Sequence, residues 1–268
     1  MLNQEEGYKE NKNDFEEINN NIEKMGFSPT PVLKKDEDNG EKLSFKTKLI
    51  LFLCGFAYAG FLVLQLVWVL ILSFIEDKSL FSVAAISATY LSLFGIFVYF
   101  GFKNKKYFIS KLKDPTKYLY GLICALITIG IEIVVALIIN TLFPTDTNAN
   151  QAAVESYITS YPTLMFFITV VIGPLCEEIT YRVGLFELLK EKNETMALIV
   201  SSLIFAFIHI SFTDTTFAAE AASFPIYLSI GLCLTYSYKK FGLPGSYVAH
   251  MSLNLISFLA SISQLQQG

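Results

Sequence analysis

Apolar residues in this chain come in long unbroken runs, not in the narrow stripes of a soluble helix. Seven runs stand out, at roughly 49–75, 81–102, 118–142, 162–181, 195–212, 223–238 and 244–263. The hydrocarbon core of a bilayer takes about 20 helical residues to cross. The pattern therefore predicts an all-α fold, a polytopic membrane helix bundle of about seven transmembrane helices. Residues 1–48 are the opposite, rich in Asn, Glu and Lys, and read as a polar, largely disordered tail. Within it Phe15, Ile18, Ile22 and Met25 fall at helical spacing, the outline of a short amphipathic surface helix. The chain divides into that tail (1–48), two N-terminal spans with a basic loop (49–117), a core (118–263) and a short external tail (264–268). No internal repeat is visible.

Composition agrees, and charge adds a direction. Hydrophobic residues make up 53% and charged residues 16%, with a mean hydropathy of +0.49. That excludes an ordinary soluble domain and points to the lipid bilayer, not nucleic acid, as surroundings. The formal net charge of −4 matters less than where the charges lie. Of the 20 Lys and Arg residues, all but Lys78 fall in the N-terminal tail or in the connections 103–117, 182–194 and 239–243. Those segments share one side if seven spans alternate. The connections 143–161 and 213–222 contain no Lys or Arg, only Asp146, Glu155, Asp214 and Glu220. The positive-inside rule then makes the N-terminus cytoplasmic and the C-terminus external. No secretory signal is expected, because the first 48 residues have no apolar stretch and the first apolar run is too long. Cys54, Cys124, Cys176 and Cys233 lie in or beside apolar runs without a CxxC pair, so they read as buried thiols, neither disulfide-bonded nor metal-bound.

Charge inside a span is a functional signal, since lipid penalises it. Span four carries Gly173-Pro174, where the helix is expected to kink or break, and then Glu177, Glu178 and Arg182. Glu178 and Arg182 are four residues apart and can pair along one face. Glu177 points about 100° away and is free to face a cavity, where a carboxylate can handle protons. The chain has 2 histidines, and both lie in apolar runs: His209 in span five, and His250 in span seven with Asn254 one turn on. Carboxylate, imidazole and carboxamide suit water activation and oxyanion binding. Two imidazoles and a carboxylate equally suit Zn²⁺. Residue types alone leave both chemistries open. HExxH, GxSxG and an intramembrane aspartate pair are all missing from the sequence. Glu132, in span three, either lines the same cavity or bonds to a neighbouring helix.

Three motifs fall in order on successive spans: EEITYR at 177–182 (EExxxR), FAFIH at 205–209 (FxxxH) and HMSLN at 250–254 (HxxxN). Together they resemble the CAAX protease and bacteriocin-processing family of intramembrane proteases, the Abi family, over about residues 118–263. The resemblance implies an intramembrane protease core there. Glu177 would be the general base, with His209 assisting it or binding a metal, and Arg182 would hold the pair Glu177 and Glu178. His250 and Asn254 would stabilise the oxyanion, or His250 would be a second metal ligand. Phe205 would pack the helix that carries His209. Glu177, His209 and His250 are the metal ligands if Zn²⁺ is bound; a metal-free route is equally compatible. One departure is Val183, which separates Arg182 from Gly184 where the family often has glycine directly after the arginine.

The implied function is an intramembrane endopeptidase in a bacterial cell membrane, cutting a peptide or membrane-protein substrate near the cytoplasmic face. The alternatives are a non-catalytic scaffold or bacteriocin-immunity partner of the same fold, and a proton-coupled transporter. Oligomeric state is not encoded in any visible pattern. One distance strains the picture. Glu177 and His250 sit about 8–9 Å from the cytoplasmic end of their spans, and His209 about 21 Å. The mismatch closes if the 195–199 turn projects into the cytoplasm and residues 210–222 include more membrane-embedded chain; widely separated histidines would contradict catalysis.

Overall fold

The computed structural model describes residues 42–144, 149–210 and 217–265. The amphipathic stretch at 15–25, Asp146 and Asp214 lie outside the described residues. Every regular element among them is helical.

Helix α1 (Phe45–Gly55) starts at Ser44, whose side chain accepts from the Thr47 amide, an ordinary N-cap. It ends at Phe56, which has extended backbone (φ −64°, ψ 126°). Helix α2 (Ala57–Ile71) leaves at 53° to it. Helix α3 (Lys78–Lys103) is capped by Asp77. A short helix α4 (Lys105–Leu112) follows, then α5 (Pro115–Leu142), capped by Asp114 with Pro115 in its first turn. Helix α6 (Ala149–Ser160) precedes the long α7 (Pro162–Leu189). Helix α8 (Glu194–Phe207) is capped by Asn193. The last run, Phe217–Leu265, is two helices, α9 (217–241) and α10 (243–265), joined at Gly242. Gly242 has φ 70°, a left-handed conformation that side chains disfavour, and Pro244 follows it.

Among the described residues four helices are long and apolar enough to cross a membrane: Lys78–Lys103, Pro115–Leu142, Pro162–Leu189 and the run Phe217–Ser263. The bent pair α1–α2 makes a fifth. The chain is a polytopic helical bundle, with corrections to the seven expected spans. The sixth and seventh fall in one run, divided at Gly242. The fifth, expected over 195–212, is a helix of 14 residues. At 1.5 Å per residue that is about 21 Å, short of a hydrocarbon core of about 30 Å. His209 therefore lies beyond the end of a helix, not inside a span. Residues 149–160, expected as connection, are helical.

Helix α7 is the centre. From Gly173 to Phe186 nearly every residue is buried, packed by α1, α3, α8 and α10. Opposite faces of the bundle are apolar and exposed. On α5 these include Leu119, Leu122, Leu126, Ile133 and Leu137, and on α2 Leu62, Val63, Leu66 and Leu70. Apolar surface this continuous belongs against lipid.

Two poles can be told apart by contacts alone. At one, Lys48 donates to the Glu187 carbonyl (3.2 Å) and pairs with Glu191. Tyr238 donates to Glu187 (3.1 Å), and Lys239 pairs with Glu194 (2.7 Å). The start of α1, the end of α7, the start of α8 and the end of α9 thus meet in one polar collar. At the other, buried Glu220 of α9 accepts from the Ala149 amide at the start of α6 (2.9 Å). Sequence placed Glu220 in a loop; it is instead a buried carboxylate that caps a helix start.

Candidate active site

The acidic pair sits where α7 changes pitch. Residues Phe166–Ile172 and Ile179–Phe186 are π-helical, with a short α-helical piece, Gly173–Glu178, between them. Pro174 has no amide hydrogen to give to the turn before it. The helix answers by widening, so α7 runs through Gly173-Pro174 without the expected break. Widened turns leave backbone carbonyls for side chains to claim, and π turns often mark functional sites. Ser201 donates to the Tyr181 carbonyl (2.8 Å) and Asn254 to that of Thr169 (2.8 Å).

Helix geometry sends the two carboxylates to different surroundings. Glu178 is fully buried. Its Oε1 lies 3.1 Å from Arg182 Nη1 and accepts a hydrogen bond from His250 Nδ1 at 3.0 Å. Arg182 is also fully buried; it stacks over the Phe205 ring at 4.6 Å and donates to the Gly231 carbonyl. Glu177 lines a cavity of about 690 Å³. Its Oε2 is 3.8 Å from His250 Nε2, and its Oε1 accepts from the Tyr90 hydroxyl at 3.4 Å.

Both imidazoles pack on Phe205, with ring centroids 4.7 Å away for His209 and 5.7 Å for His250, and both line the cavity. The depth mismatch is resolved by the shortness of α8, which ends at the level of the site; residues 195–199, expected as a projecting turn, are helical within it. His209 Nδ1 sits 2.7 Å from the Phe205 carbonyl. A carbonyl only accepts, so Nδ1 carries the hydrogen and Nε2 is the free ring nitrogen. That bond also satisfies a carbonyl at the end of α8. His250 is held alike: Glu178 Oε1, paired with Arg182, accepts from Nδ1, and Nε2 faces Glu177. Asn254 lines the cavity too.

The structure therefore brings Glu177, Glu178, Arg182, His209, His250 and Asn254 to one place. Glu132 lines the same cavity. Sequence reasoning missed Tyr90 and Tyr227, which stacks on His209 at 4.6 Å. Tyr90 left a faint signal as a polar residue inside span two. Tyr227 left none. Gly184, displaced by Val183 from the family position, meets α1: a Cβ there would lie 2.7 Å from the Phe52 amide nitrogen.

A zinc site fits these residues poorly. Among the described residues no group of three or more His, Cys, Asp and Glu stands close enough to hold a metal ion. Glu177, His209 and His250 line one cavity without forming such a group. The metalloprotease expectation gains no support from the arrangement.

Fold and site define the class: a membrane helix bundle with carboxylates and imidazoles around a cavity inside it. Residues 159–256 match the family model described as type II CAAX prenyl endopeptidase Rce1-like. The resemblance to the CAAX protease and bacteriocin-processing family is borne out over that segment, which holds all three motifs. The chain is 36% identical over 106 residues to a Mycoplasma capricolum protein described as uncharacterized, covering 39% of this chain and 30% of the relative. It is 39% identical over 88 residues to the UPF0177 protein YbdJ of Lactococcus lactis, covering 32% of this chain and 34% of the relative. The chain spans about a third of the length of these curated relatives. No solved structure matches it.

Proposed function

We propose that this protein is an intramembrane endopeptidase that hydrolyses a peptide bond of a peptide or membrane-protein substrate, in the cell membrane of a bacterium. The observation that carries the reading is the placement of Glu177 between His250 Nε2 and the Tyr90 hydroxyl, at the wall of a cavity inside the bundle. The bacterial origin of both relatives supports the setting.

Each side chain then has a part. Glu177 takes a proton from a water molecule as its oxygen attacks the scissile carbonyl. His209 Nε2 accepts a hydrogen bond from that water's remaining O–H and orients it. The charge that develops on the carbonyl oxygen is met by the second N–H of Asn254, while His250 Nε2, 3.8 Å from Glu177 Oε2, faces the carboxyl that takes the proton. Arg182 pairs with Glu178, and Glu178 fixes the tautomer and the orientation of His250. When the tetrahedral intermediate collapses, the C–N bond breaks and the leaving amine takes the proton from Glu177. No metal enters these steps. If zinc were required, metal analysis of detergent-purified protein would find it stoichiometrically and a chelator would abolish cleavage.

The test is cleavage of a quenched-fluorescence peptide library by the purified protein, compared with Glu177→Ala and His250→Ala. Lost cleavage at unchanged abundance supports catalysis. Unchanged biological function in both variants would instead identify a scaffold or immunity partner.

A further inference from the structure

Among the described residues the cavity is walled off at one pole and reaches exposed residues at the other. Its inner limit is formed by Gly55, Leu93, Tyr181 and Phe205, all buried. At its far end the lining includes Asn140, Asn150, Ala153 and Ser257, all exposed. No residue of the connections 103–117, 182–194 or 239–243 lines it; α6 and the first turns of α9 do. The closed end faces the pole where Lys48, Glu187, Glu191, Glu194 and Lys239 meet. The open end faces the pole of α6 and Glu220, where Lys78 is the one basic residue and the connections 143–161 and 213–222 contain no Lys or Arg.

Lys and Arg in short connections mark the cytoplasmic side. We infer that the cavity opens to the outside of the cell, and that the substrate is an extended peptide segment presented on the extracytoplasmic face. This deepens the peptidase reading and rests on it for the word substrate; the side of access stands on charge and geometry alone. It reverses the expectation of cleavage beside the cytoplasm. The distance also sets a size. Glu177 is 15 residues along α7 from Pro162, so it lies about 22 Å below the open pole. An extended chain advances about 3.4 Å per residue, so about six residues of unfolded segment are needed to bring a bond to Glu177. A folded domain, or a lipid-modified tail held at the inner leaflet, does not meet that requirement.

The lining chemistry narrows the segment further. Among the described residues the charged groups on the cavity wall, histidines aside, are Glu132 and Glu177, with Asn140, Asn150 and Gln151 nearer the opening. A neutral or basic segment suits such a wall and an acidic one does not.

The experiment is labelling of intact bacteria expressing the full chain with a membrane-impermeant maleimide. Asn150→Cys tests the open pole and Lys113→Cys the opposite one; the wild-type chain sets the baseline for its own thiols. Asn150→Cys should label in intact cells, and Lys113→Cys only after permeabilisation. The reverse pattern, or labelling of both in intact cells, overturns the inference. If either variant is not made at normal abundance, an N-terminal epitope tag on the otherwise unchanged chain gives the same answer: antibody access before permeabilisation overturns the inference, and access only afterwards supports it. Labelling does not depend on cleavage. A Glu177→Ala protein that still cuts peptides would refute the peptidase reading and leave the side of access intact.

Discussion

Glu177 and Glu178 are identical in chemistry and adjacent in sequence, yet one helical step gives them unlike environments. Glu178 has 0% side-chain exposure, as does Arg182; Glu177 has 20%. Removing one member of a buried ion pair leaves the other charge unpaired and typically destabilises by about 3–5 kcal/mol. Glu178→Ala and Arg182→Ala should therefore lower the melting temperature in detergent clearly. Glu177→Gln should leave the melting temperature nearly unchanged while lowering kcat by about 10²–10⁴-fold. A thermal scan beside a cleavage assay separates the two. Tyr90→Phe removes one long hydrogen bond to Glu177, of about 1 kcal/mol, so kcat should fall about fivefold with KM unchanged. Most of this residue-scale picture was legible in advance. The i, i+4 spacing of Glu178 and Arg182 gave their pairing, and the 100° step gave Glu177 its freedom. The bond from His250 to Glu178 was not legible, because it depends on how α10 crosses α7. Tyr90 left only the faint signal of a polar residue in a span, since it comes from a helix outside the motif-bearing segment.

At the scale of elements, close approach of backbones holds the site helix. A Cβ at Gly55 would lie 1.8 Å from Thr180 Oγ1. Small residues allow such contact between membrane helices. Gly55→Leu should push α1 off α7 and destabilise the protein by about 1–3 kcal/mol or more, read as a loss of melting temperature with a parallel loss of cleavage. Gly121 makes the corresponding approach of α5 to α10, where a Cβ would lie 2.7 Å from the Gly245 carbonyl. Hydropathy located the helices but not their lengths. It cannot see that α8 ends at Phe207, because Ile208 and Ile210 continue the apolar pattern while the His209 ring takes over a helix-terminal carbonyl. Nor does it see α6, whose ANQAAVESYITS sequence favours helix without being apolar enough to mark a span. The Gly173-Pro174 step looked like a break because proline removes a donor; π turns and side-chain partners absorb the loss.

At the scale of the molecule, polarity is divided between two ends. The collar at the lysine-rich pole ties α1, α7, α8 and α9 together. There the hydrogen bond and charge of Lys48 hold the Glu191 carboxyl below its ordinary range. A lowered carboxyl pKa contributes stability above the unfolded value and loses it as pH falls through the folded one. Glu191→Gln should therefore flatten part of the acid dependence of the melting temperature below about pH 5, measured against the wild type. The lysine distribution was readable from sequence and gave the poles their sense; which pole the cavity serves required the structure. The central claim, that Glu177 activates water for peptide hydrolysis, is tested most directly by cleavage rates of purified wild-type and Glu177→Gln protein, matched for melting temperature. The account predicts a fall of at least about 10²-fold in kcat/KM for the variant; equal rates would contradict it.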